Sequence, residues 1–586
     1  MQALEIPEIL RLLGGFLDYR RLTAATAVCK FWNTVFTPLL YHTLEWGHHI
    51  WRHPRPYVVE GHIDHIHVIK ISSMPWIPSL EGCTHLEELH LNLDFGEYHD
   101  VDNSWIPITK IVRQNPRLVT VCVTSPSNGL LRAVFTCCFQ LKRLEINGAN
   151  FTDYMMTDLL FNICLRLEEL KMVDLTLDVD LGRGTASWAN WPVFPKIKKL
   201  WVGITHEKHW IYCGATQQLE FIKRCPNLES LAWSFSKDPI PIREIRALLS
   251  PETSPCPKIK AFEFHCPGLK EDRLVEILRG CNKNLTSFGC SQVRFGGFFS
   301  QALIKGLAST LTRLRIDNAP PNISPALMRI FSSCPHLLHV NCYGGRLDVR
   351  DILGIKSGQD KSSTAKTTGT MLSANAQPLP TSIHPPEWAC KNLQTLDVDI
   401  CGLQGKGAEW HLAVLTQLAK LTRLRVLGVG RFNSENEKIR DGLDLRLLAL
   451  RKAPSSFTML EELRFGSVWQ EMEGCYIRWM IEAWPRLSYI DGWVHHLRVK
   501  RYDLIDLLNK HGVTVKYAFG FDPPFRDDSD DESDGGSYVD EDEDEDEDEE
   551  DGGSEYIDEE EVDGLNDDAA DFLHPHHELS SDDDGY

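Results

Sequence analysis

Leu141-Lys142-Arg143-Leu144-Glu145-Ile146 is one copy of a pattern, L-x-x-L-x-[LIVF], that recurs through most of this 586-residue chain. It returns as Leu86-Glu87-Glu88-Leu89-His90-Leu91, Leu167-Glu168-Glu169-Leu170-Lys171-Met172, Leu228 to Leu231 and Ile259 to Phe264. Further copies run from Leu311 to Ile316, Leu337 to Val340, Leu393 to Val398, Leu424 to Val429 and Leu460 to Phe465. Weaker copies start at Leu118, Ile197, Leu285 and Leu487, and His65 to Ile71 reads as an imperfect first one. Most neighbouring copies lie 23 to 36 residues apart. Self-similarity at this period marks a repeat architecture. Within each copy the apolar residues alternate with period two, which places them on the inner face of a short strand.

What precedes the strand completes the unit. Cys225-Pro226 follows LEFIKR, Cys334-Pro335 follows ALMRIFSS, and Asn115-Pro116 follows ITKIVRQ. A helix, a turn closed by proline and a strand make one leucine-rich repeat. Such a unit cannot bury its apolar face alone, so neighbours must stack. The expected fold is α/β: an irregular solenoid over 46–525 with a parallel sheet on one side and helices on the other. The spacings are uneven, and the asparagine that usually closes the strand turn is mostly absent.

The N-terminal segment 1–45 has a different character. LEIPEILRLLGGFLDYRRLTAATAVCKFWNTVFTPLLY, residues 4 to 41, reads as two short amphipathic helices. Pro7 suits the first helical position, where its missing N–H is unsatisfied anyway. Ile6, Leu10, Leu13 and Leu17 share one face by their spacing. Leu22, Ala25, Val28, Cys29 and Trp32 form a second stripe. Gly14 and Gly15 weaken the first helix by roughly 1 kcal/mol each against Ala, so these helices need a packing partner. The stretch resembles an F-box. The family's "LP-x-E-[IL]-L" opening stands here as Ile6-Pro7-Glu8-Ile9-Leu10. Its "V-C-K-x-W" close stands as Val28-Cys29-Lys30-Phe31-Trp32, with the family's aspartate and leucine at Asp18 and Leu22. The repeats in turn resemble the irregular, cysteine-containing ones that follow F-boxes in many fungal proteins.

The resemblance implies a substrate receptor of an SCF-type ubiquitin ligase. Ile6, Pro7, Ile9, Leu10, Leu13, Leu17, Leu22, Val28, Cys29 and Trp32 would then dock on a Skp-family adaptor, and through it on a cullin scaffold. The repeat surface would select a protein substrate. The competing expectations are that the stripe packs on the first repeats, or that the chain is a scaffold without a ubiquitylation role.

The net charge of −22 divides unevenly. After Arg526 there is no Lys or Arg, and 31 of the 83 Asp and Glu residues lie there. The part before it carries an excess of about nine positive charges, so one net figure describes neither part. The tail 526–586 includes an unbroken acidic run from Asp540 to Asp551. It is expected to be disordered, and to act as a solubilising appendage or an acidic tail for basic proteins. Ser357 to Pro386, rich in Ser, Thr, Lys, Ala and Pro, is expected to be a disordered insertion. Seventeen cysteines are scattered without a CxxC pair. They read as reduced thiols at repeat positions, which implies a cytoplasmic or nuclear protein. No apolar run approaches a membrane span, and without a basic region followed by an apolar core at the start, no signal peptide is expected.

No catalytic motif emerges. The chain lacks G-x-x-x-x-G-K-[ST], G-x-S-x-G and H-E-x-x-H. His206-Glu207-Lys208-His209 is one residue short of the last, and His62, His65 and His67 lack a Cys or carboxylate that completes a zinc set. Gly402 to Gly407 (GLQGKG) reads as a repeat turn without the strand–helix frame of a nucleotide loop. The chain is therefore expected to be no enzyme, with no metal or cofactor. Nucleic acid is disfavoured as a partner, because no basic-aromatic motif is present.

Overall fold

The computed structural model describes residues 6–516 apart from 18, 47–58, 73–79, 81, 93–100, 152–153, 178–190, 204–214, 235–241, 251, 267–268, 282–283, 292–295, 321, 356–378, 381–382, 405, 431–441, 444, 446–456, 466–469, 471, 493 and 496–497. The acidic tail, His206, His209 and most of the Ser357–Pro386 segment lie outside the described residues.

The repeats build one parallel sheet of 17 strands, from Thr43–Trp46 to Thr514–Lys516. Each strand pairs with the next one of this sheet along the chain. Two-residue strands at Asn150–Phe151 and Thr176–Leu177 pair with each other instead. The fourth position of the sequence pattern forms a single unbroken row across the sheet. It runs Leu89, Val121, Leu144, Leu170, Leu200, Leu231, Phe262, Phe288, Leu314, Val340, Leu396, Leu427, Leu463 and Ile490. Every copy quoted from the sequence, strong or weak, therefore falls in register, and all of these side chains are buried. Burying a Leu or Phe contributes about 1.5–3 kcal/mol against exposure, so this row is the main cohesive element between repeats.

Two strands were hidden from the sequence pattern. Thr43–Trp46 precedes the imperfect copy, whose strand is Val68–Ile71, and Thr514–Lys516 follows the last. Five of the strands end on a left-handed residue, which is an asparagine at only one of them. Ser125 (φ 49°), Asp174 (φ 51°) and Asn318 (φ 53°) follow three strands directly, and Gly148 and Gly402 serve two others. Asp and Asn tolerate this region, and Gly enters it freely.

The cysteines are indeed repeat positions. Cys83, Cys138, Cys164, Cys225, Cys256, Cys334 and Cys390 each stand three residues before the first apolar residue of a copy, and all are buried. Sixteen cysteines among the described residues are unpaired thiols. Burial pushes Cys83 and Cys334 up to about 11, and Cys138, Cys256 and Cys390 up to about 12. A thiolate is the nucleophile, so these groups are chemically quiet.

Two expectations need correction. GLQGKG does lie between a strand, Thr395–Cys401, and a helix, Ala408–Leu418. It is still a repeat turn: Gly402 is left-handed, and Lys406 Nζ sits 4.4 Å over the Trp410 ring. The end of the Ser357–Pro386 segment belongs to the packed body. Leu379 and Ile383 pack on the core, and the Pro386 carbonyl accepts from Gln417 Nε2 at 2.9 Å. Its few apolar residues fall outside any repeat spacing, which is why the sequence concealed them. Among the described residues no helix is long and apolar enough to cross a membrane.

Candidate functional site

The N-terminal segment folds into three helices rather than two: α1 (Pro7–Gly14), α2 (Tyr19–Thr26) and α3 (Lys30–His42). The stripe through Val28, Cys29 and Trp32 is broken because Cys29 is extended (φ −160°, ψ 167°) and starts a new helix. Its Sγ accepts from the Trp32 N–H at 3.4 Å, a capping role. Asn33 Nδ2 donates to the Thr26 carbonyl at 3.1 Å and ties the start of α3 to the end of α2. Both α1 and α2 pack on α3. Gly14 is the contact point, since a Cβ there would collide with Leu39 and Phe36. The glycine that weakens α1 as an isolated helix is what lets it approach α3.

This packing divides the ten candidate residues. Leu10 and Leu22 are buried in the core that continues into the repeats. Leu17 and Trp32 are half-buried against that core, Trp32 in edge contact with Phe36 at 5.5 Å. Pro7 and Ile9 are half-buried. Ile6, Leu13, Val28 and Cys29 face solvent. Each of the two apolar stripes expected from the sequence is thus split, part inward and part outward. The outward set is larger than the sequence reading gave. Leu12 (70% exposed), Phe16 (84%), Tyr19 and Phe31 join it. Seven of the fourteen large apolar side chains exposed among the described residues fall within residues 6–31. Leu12 and Phe16 lie off the Leu10–Leu13–Leu17 spacing. The available signal was that Ile9, Leu10, Leu12 and Leu13 spread over more of the circumference of α1 than one buried stripe needs.

The second candidate surface is the face of the sheet opposite the leucine row. In places, side chains of opposite charge meet there from strand to strand. Glu168 meets Lys198 at 3.0 Å, Lys260 reaches Glu229 at 3.5 Å, and Arg425 meets Glu461 at 2.7 Å along one edge. Lys171 pairs with Glu145 and lies 4.5 Å over the Trp201 ring. Further along, two ion pairs skip a strand. Arg315 reaches Glu263 at 3.6 Å across Gly289, and Arg464 reaches Asp397 at 3.0 Å across Gly428. Each glycine leaves the floor on which the carboxylate side chain lies. The neighbouring His265 ring and the Arg315 charge hold Glu263 below the usual carboxylate range, against its burial. Burial disfavours the Arg464 charge, but Glu462 and Asp397 outweigh it.

His62 and His67, grouped by sequence, belong to two separate ring stacks.

No protein-family model matches the sequence, and no curated protein matches it. Among solved structures, the chain is similar to one in the crystal structure of a TLR13–ssRNA13 complex. The identity is 14% over 73% of this chain and 49% of that one, with a TM-score of 0.35. It is also similar to a chain in the crystal structure of the Rad7 and Elc1 complex in yeast, at 12% identity over 83% of this chain and 88% of that one, with a TM-score of 0.33. The chain spans about half the length of the chain it matches in the TLR13 complex. These likenesses assign neither a family nor an activity.

Proposed function

We propose that this chain is the substrate-recognition subunit of an SCF-type E3 ubiquitin ligase. The outer face of α1–α3 would dock on a Skp-family adaptor, and the open face of the sheet would hold a protein substrate. The observation that carries the reading is the concentration of exposed apolar side chains at Ile6, Leu12, Leu13, Phe16, Val28 and Phe31. Large apolar patches on a soluble surface mark interaction sites. They coincide here with the segment that resembles an F-box. In this reading the chain performs no chemistry. It raises the effective concentration of a substrate lysine near the ubiquitin-charged enzyme.

The test is co-purification of adaptor and cullin with full-length protein carrying Phe16→Asp and Val28→Asp. Both side chains are exposed, so the fold should be retained, which circular dichroism checks. Each buried apolar side chain is worth about 1.5–3 kcal/mol to an interface of this kind, and two charges in its centre should reduce adaptor recovery by more than about tenfold. Unchanged recovery would overturn the docking face. Adaptor recovered without cullin would instead indicate a scaffold.

A further inference from the structure

We propose that the joint between α1–α3 and the first repeats is a pH-sensitive hinge, closed near neutrality and loosened by mild acid. The inference is independent of what docks on the outer helical face. Five histidines line the joint in two stacks. On one side the Tyr41 ring, at the end of α3, stacks on His62 with centroids 4.1 Å apart and planes 22° apart, and His65 follows at 6.2 Å. On the other side His42 stacks on His67 at 4.9 Å and 8°, and His85 follows at 6.3 Å. These contacts join α3 to the 63–65 turn and to the residues leading into the second and third strands.

Neutral imidazoles stack without penalty, whereas two adjacent imidazolium rings repel. The charged groups around them only partly offset this. Glu87 lies 3.2 Å from His67 Nδ1, and Glu88 lies 3.1 Å from His90 Nε2. Asp64 stands in the turn between His62 and His65, and Tyr19 of α2 faces Tyr41. Burial and the His67 ring lower His42, with Glu87 and Glu88 pulling the other way, and burial and His65 lower His62. A histidine whose pKa is lower in the closed form gives stability that is complete above its ordinary value, about 6.5. That stability is lost as pH falls through this value, because the open form takes up a proton that the closed form excludes.

The experiment is hydrogen exchange read by mass spectrometry on the full chain at pH 7.5 and 5.5, corrected for the intrinsic pH dependence of exchange. Segments 30–46 and 63–71 report the joint, and 313–348 serves as the reference. Protection of the joint should fall several-fold relative to the reference. The limit is about tenfold per pH unit for each proton taken up. His42→Asn with His62→Asn should flatten this response. Glu87→Gln, at an exposed position, should steepen it by removing a compensating charge. Joint protection that tracks the reference, a double variant that keeps the full response, or a Glu87→Gln response that is unchanged or shallower would each overturn the hinge.

Discussion

Asn115 offers the sharpest test of how neighbouring repeats are joined. Its side chain is fully buried and bridges the turn of the preceding repeat: Oδ1 accepts from the Leu86 N–H at 2.8 Å, and Nδ2 donates to the Cys83 carbonyl at 2.6 Å and to the Ile111 carbonyl at 2.8 Å. In several other repeats the equivalent turn closes on itself, as where Leu228 N–H donates to the Cys225 carbonyl at 3.1 Å. Asn115→Ala strands a buried N–H and two buried carbonyls, at about 1–3 kcal/mol for each group left unmade. If the turn shifts to close directly, most of that is recovered and about 1 kcal/mol remains for the lost helix-end bond. Partial closure gives an expected loss of about 2 kcal/mol. Asn115→Cys should cost less, because a thiol there can donate one turn back, as Cys225 Sγ does to the Phe221 carbonyl at 3.7 Å. Each repeat touches only its neighbours, so the loss should concentrate in residues 83–118, read as amide exchange under increasing urea. A loss below about 0.5 kcal/mol, or a loss spread evenly over the sheet, would refute the reasoning.

Two glycine substitutions should separate in sign. Gly14→Ala gains about 1 kcal/mol of helix propensity, but drives a Cβ into Leu39 and Phe36. Overpacking costs about 1–3 kcal/mol, so thermal unfolding should show a net loss, and a stabilised variant would count against the close α1–α3 approach. Gly289→Ala meets only the Glu263 side chain, at 2.8 Å from its Cγ. Glu263 can swing away, so stability should stay within about 1 kcal/mol. Its carboxyl should titrate higher without Arg315 beside it, measurable by NMR, and an unmoved titration would show that the glycine does not gate the pair.

The fold was legible because its determinant is local and repeated. Leu144 or Leu463 needs no knowledge of the rest of the chain to be read as an inward strand residue, and every copy found this way lies in the same row. The first and last strands escaped because Thr43–Trp46 and Thr514–Lys516 are flanked on one side by non-repeat sequence. The irregular turns look non-consensus by residue type. Yet Ser125, Asp174 and Asn318 meet the same backbone requirement, and a positive φ is not written in any one letter.

The candidate docking segment was only half legible, and the reason is geometric. Spacing along a helix says which residues share a face, but not whether that face meets α3 or solvent. Leu10 and Leu13 look equivalent in sequence, and one is fully buried while the other is exposed. The decision is made at two breaks. The chain leaves helix after Gly15, and Cys29 restarts it, so that α3 becomes the common support for α1 and α2. A helical unit whose inner residues are used to hold it on the repeats has only its outer residues left for a partner. It follows that Leu10→Ala and Phe16→Asp probe different things, the first the attachment of the unit to the repeats and the second the surface it presents. Loss of adaptor recovery in the first alone would say nothing about docking, because Leu10 belongs to the continuous core.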